Sequence, residues 1–96
     1  MYEPIMNTEY IAFNVAEARE ELNCLLSLLN GPQADELTEI GLRVSLAHAY
    51  HHINFAWNSR HTTRHQVENL QQSDFDKWRA SPTDIDDWGY PGTLYL

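Results

Sequence analysis

The sequence predicts an all-α fold: a small bundle of two long antiparallel helices, followed by short helical turns and an aromatic tail. Two observations carry this. Ile11, Val15, Ala18, Leu22, Leu25 and Leu29 step by four and three, the spacing of one helical face. Residues from about 34 to 59 hold a second helical pattern, and "NGP" at 30–32 separates the two. Two amphipathic helices joined by so short a connection pack as antiparallel neighbours around one core.

The first helix starts at a polar cap, with Thr8 or Asn7 placed to accept from the first-turn amides and Glu9 suited to the N-terminal dipole. Asn14 with Glu17 offers a second possible start. Its end is marked by Gly31, expected in a left-handed conformation, and by Pro32, which cannot continue a helix. The second helix is expected from about Ala34 to Ser59, with two apolar stripes. Leu37, Ile40, Val44, Ala47, His51 and Phe55 share one face; Leu42, Leu46, Ala49, Ile53 and Trp57 share another. Apolar character on both sides predicts a buried central helix, covered by the first helix on one flank. Gly41 weakens this helix or permits a close crossing.

Beyond Arg60 the elements shorten. Thr63 and Gln66 are spaced as a capping box for a polar helix over about 64–72. "SDFDKWRA" and "SPTDIDDWG" each open on serine with Asp three residues on, which predicts two further helical turns. "YPGTLYL" reads as a turn at Pro91–Gly92 and an extended end. All of this fits one domain over residues 1–96.

Six basic against fourteen acidic side chains give a net charge of −8. That argues against nucleic acid as a partner, since such binding begins with a basic patch facing phosphates. The charge is uneven: −7 over residues 1–40, +2 over 41–79 and −3 over 80–96. An acidic first helix beside a mildly basic second one is the expected use. No apolar run is long enough to span a bilayer, and the N-terminus lacks the basic start of a signal peptide. The single cysteine, Cys24, pairs with nothing internal; it is expected buried and inert, in a cytoplasmic protein.

Candidate functional residues cluster in "LAHAYHHINFAWN" and just after it. His48 and His52 stand one turn apart, as two imidazoles sharing a metal do, and His61 and His65 repeat the spacing. A third ligand would have to come from a glutamate of the first helix, because no acidic residue lies between 40 and 67. The sequence therefore favours packed or boundary histidines, with His51 in the core, over a metal site. His51, Asn54, Asn58, His61 and His65 step along one strip, which reads as a ligand pocket or as an interhelical hydrogen-bond ladder. Arg60 and Arg64, with His61 and His65 beside them, read as an anion site or as partners for Glu17, Glu20 and Glu21. "DIDDWG" begins like a calcium loop but puts Tyr95 where a bidentate Glu is needed. No glycine-rich phosphate loop or nucleophile–base pair is evident, so no cofactor is expected.

These observations favour a small, acidic, non-catalytic protein that binds a protein partner as a regulator, inhibitor or chaperone-like module. The alternative is a helical metal- or small-ligand-binding protein using His48, His51 and His52, possibly an enzyme. A homodimer is expected, because the first helix covers one stripe of the second and the short elements after Arg60 offer few large side chains for the other. The alternative is that the tail aromatics Trp78, Trp88, Tyr90 and Tyr95 wrap that stripe. Leu42, Leu46, Ile53 and Trp57 would lie near that interface, with Trp78 and Trp88 as further partner-facing residues.

Overall fold

A computed structural model describes residues 5–82. Within them the chain is helical: α1 (Thr8–Leu29), a short 3₁₀ turn at Ala34–Glu36, α2 (Glu39–Asn58), α3 (Arg64–Glu68) and α4 (Gln72–Trp78). There is no strand among the described residues. α1 packs along α2, and α4 packs on α2, so the all-α bundle of two long helices is the architecture of the chain.

Asn7 starts α1 by accepting from the Tyr10 amide at 3.0 Å. The same residue ties the helix to the far end of the hairpin. Its own amide donates to the Arg60 carbonyl at 2.7 Å, and its Nδ2 donates to the Thr62 carbonyl at 3.0 Å. Asn30 ends α1 in a right-handed conformation, and the Gly31 amide closes on the Leu28 carbonyl at 3.1 Å. Gly31 does not adopt the expected left-handed backbone; a Cβ there would sit 3.1 Å from the Ser27 carbonyl, so closeness of the turn suits it to glycine.

α2 starts later than its apolar pattern suggests. Leu37 is extended, and Thr38 caps the helix by accepting from the Gly41 amide at 3.0 Å. Residues 34–36 form only a 3₁₀ turn, because a side-chain cap satisfies the first amides at Thr38 and nothing equivalent precedes Ala34. Gly41 accordingly serves the cap and not a helix crossing: a Cβ would meet Thr38 Oγ1 at 3.2 Å. α3 carries the expected capping box, with Thr63 and Gln66 exchanging backbone bonds of 2.9 and 3.1 Å. It stops at Glu68, short of the expected 72; α4 begins not at Ser73 but under a second box formed by Gln71 and Asp74, which leaves Ser73 inside the helix. The helical turn expected in "SPTDIDDWG" and the turn at Pro91–Gly92 lie outside the described residues.

Among the described residues the apolar core is small. Ala18, Leu25, Ala49 and Trp78 are its buried members, and Asn14, Asn54, Ser59 and Thr62 are buried beside them. Trp78 sits between the layers, tilted against Tyr10 and edge-on to Phe55 with ring centroids 6.2 Å from each, while Phe55 meets Phe75 at 5.7 Å. This aromatic knot seats α4. α2 is not the buried central helix that its two stripes imply: Ile40 is 74% exposed, Val44 61% and Ile53 52%. Cys24, expected inside, is exposed on α1.

Candidate interaction site

The contact between α1 and α2 is a polar seam. Asn14, 1% exposed, donates from Nδ2 to the Tyr10 carbonyl at 3.1 Å. That fixes the carboxamide so that Oδ1 faces His52, whose Nδ1 lies 3.0 Å away. Oδ1 only accepts, so the proton sits on His52 Nδ1. One turn earlier on α2, His48 Nδ1 meets Glu21 Oε2 at 3.0 Å. Burial holds the His52 imidazole below its ordinary pKa, and His48 pushes the same way; Glu17 and Glu21 pull against them. Burial likewise raises the Tyr10 hydroxyl, opposed by its hydrogen bond with Asn14.

His48 and His52 stand with ring centroids 5.1 Å apart. Each already spends Nδ1 on an α1 partner, and no group of three or more His, Cys, Asp or Glu among the described residues converges to hold a metal ion. His51 points away from this seam. It is half-buried beside the Tyr50 ring at 6.0 Å, outside the core where its apolar stripe placed it.

Asn54 and Asn58 work on the other side of α2. Asn54 Nδ2 donates to the Arg79 carbonyl at 2.9 Å, and Asn58 Nδ2 donates to the carbonyls of Trp78 and Ala80 at 2.8 Å each. The last carbonyls of a helix lack intrahelical donors. Two carboxamides one turn apart on α2 therefore hold the C-terminal end of α4. Tyr50 extends this contact by hydrogen bonding to Ser81.

The strip does not continue to His61 and His65, because α2 ends at Asn58 and the chain turns at Ser59–Thr62. His61 is exposed, with Nδ1 3.3 Å from the Ile5 carbonyl, and His65 is exposed on α3 near Asn69. Arg60 lies over the Trp57 ring at 3.8 Å and donates to the Trp57 carbonyl. Arg64 reaches Glu9 at 3.9 Å and Glu68 at 4.0 Å, both highly exposed pairs of small energetic value. Arg60 and Arg64 thus have separate surroundings. Beside Arg64 lies a cleft of about 310 Å³ lined by Tyr10 and Phe13 of α1 and by Val67 and Glu68 of α3.

Among the described residues, the flank of the hairpin away from α4 is apolar and uncovered. A groove of about 510 Å³ runs between the helices, lined by Ile11 and Val15 of α1 and by Ile53, Ala56 and Trp57 of α2. Two turns along the same stripes stand Leu22 and Leu46, each more than 40% exposed. Leu42 and Trp57 are half-buried at its margins. Of the residues the sequence grouped as partner-facing, Leu42, Leu46, Ile53 and Trp57 come together on this flank. Trp78 fills the seam under α4 instead, at 5% exposure, and Trp88 lies outside the described residues.

Sequence reading singled out the α2 half of this flank but missed its α1 half. The spacing assigns the whole α1 stripe to the helix contact, whereas the contact is centred on Asn14, Ala18 and Leu25, one side of that stripe. The signal was present: Asn14, Ala18, Glu21 and Leu25 form their own four-three ladder, facing the histidines of α2.

Taken together, the described residues define a helical hairpin with a polar seam, a clamped short helix and an apolar flank. Comparison with family models, curated proteins and solved structures gives no match. No helix among the described residues is long and apolar enough to cross a membrane.

Proposed function

We propose that this chain is a non-catalytic, cytoplasmic protein-interaction module, regulatory or chaperone-like in role, whose docking surface is the apolar flank formed by α1 and α2. The observation that carries the reading is the exposure of Val15, Leu22, Leu46 and Ile53, all between 41% and 53%, along one continuous face. Scattered apolar side chains on a surface mean little; a contiguous patch rimmed by polar groups marks a site of association. Arg60, stacked on Trp57, supplies such a rim. The histidines support the same reading from the other side, since the Nδ1 atoms of His48 and His52 join α2 to α1. A free, exposed Cys24 suits a reducing compartment.

Hydroxyl-radical footprinting at nanomolar concentration tests this. Val15, Leu46 and Ile53 should be labelled at the rate of open side chains while Leu25 and Trp78 stay protected. Protection of all three in the dilute single chain would mean that the chain covers its own flank, and the reading would fail.

A further inference from the structure

We infer that the partner seated on this flank is a second copy of the same chain, two hairpins closing about a twofold axis into a four-helix arrangement. The inference rests on the docking reading above and names its occupant.

Three observations select a second copy. The first is the poverty of the core. Ala18, Leu25, Ala49 and Trp78 are the buried apolar residues among those described, and two of the four are alanines. A chain of this size is marginal even when it buries its apolar side chains well. Among the described residues Val15, Leu22, Leu46 and Ile53 stand outside, and packing them against an identical set enlarges that core. The second is extent. Helices of 22 and 20 residues present about 30 Å of length, and two of them side by side span about 20 Å. The face is then on the order of 600 Å² before side-chain relief, close to the ~800 Å² per partner of a standard specific interface.

The third is the placement of charge. Two copies of a chain carrying −8 repel unless their carboxylates are kept apart. On α1 the flank is the Val15–Leu22 stripe, and the glutamates of that helix all fall off it. Glu21 sits on the opposite border, bound to His48, and Glu9 pairs with Arg64 at the far end. The face that must meet itself is the one from which α1 has removed its acid. A twofold axis needs a self-complementary patch, and paired apolar stripes from two antiparallel helices are such a patch.

Light scattering at micromolar concentration, with a far-UV spectrum of each sample, tests the inference. The native chain should scatter as twice its 11.2 kDa. Ile53→Glu and, independently, Val15→Glu should scatter as single chains with the helical spectrum retained. A benzophenone attached at Leu46→Cys in a Cys24→Ser background keeps the test independent of how those variants fold: it should give an interchain product, and the same probe at Glu20→Cys should not. A single-chain mass for the native protein overturns the second copy. If Ile53 is then labelled as an open side chain, the docking reading stands for a different protein; if it is protected, both fall. A doubled mass that survives both charge substitutions, with no crosslink from position 46, places the contact elsewhere and also overturns the inference.

Discussion

Asn14→Ala removes the carboxamide that joins α1 to His52, and its cost follows from the seam. One hydrogen bond of about 1 kcal/mol is lost, and the His52 Nδ1–H is left without its acceptor, which adds about 1 kcal/mol more in a half-buried site. The bond to the Tyr10 carbonyl matters less, since that oxygen lies inside α1. Truncating a side chain that is 1% exposed also leaves a void, so the total is about 2–3 kcal/mol. A chain of this length has on the order of 5–14 kcal/mol to lose, and the midpoint should fall by about 10–20 °C at 4–8 °C per kcal/mol. Thermal and urea unfolding followed by circular dichroism read this directly. A cycle with His52→Ala then isolates the pair: the double variant should be less damaged than the sum of the singles by about 1 kcal/mol. Strict additivity, or an Asn14→Ala midpoint within two or three degrees of the native one, would refute the seam.

Asn58→Leu should release α4, because Nδ2 alone supplies bonds to the last carbonyl of the helix, at Trp78, and to the Ala80 carbonyl just beyond it; the expected loss is about 2 kcal/mol with a red shift of tryptophan emission as Trp78 meets water, and unchanged emission would count against the clamp. His52 gives the pH dependence. Burial depresses its folded-state pKa below the ordinary 6.5, so the unfolded chain binds the proton more readily. Its contribution is present above about pH 6.5 and is lost as the pH falls through the folded value. Stability should therefore decline on acidification from pH 7 toward 5, with a shallower decline in His52→Gln; equal slopes would assign the effect to other groups.

The elements were legible in the sequence, and so were several of their caps, because those signals are local; Ser73, expected to open α4, lies inside it under Gln71. Asn7, the Thr63–Gln66 box and the break at Asn30–Pro32 act over three or four residues, within reach of pattern reading. Thr38 was missed because an unbroken apolar rhythm from Leu37 through Ile40 masked a cap inside it. What the pattern could not assign is which surface covers each stripe. Periodicity marks Val15 and Ile53 as apolar; it does not say that Asn14 and His52, beside them, form the contact. That pairing depends on two carboxamide and imidazole groups being complementary across the hairpin. Likewise, nothing near Asn54 and Asn58 announces a helix end 20 residues further on.

Whether another chain covers this flank is measured by the dependence of the melting temperature on protein concentration. A dimer that dissociates as it unfolds gains stability with concentration. Between 1 and 100 µM the gain is about 1.4 kcal/mol per chain, or a rise of about 5–10 °C for a domain of this size. Ile53→Glu should melt at one temperature throughout that range. A native midpoint equally indifferent to concentration would contradict the second copy on the α1/α2 face.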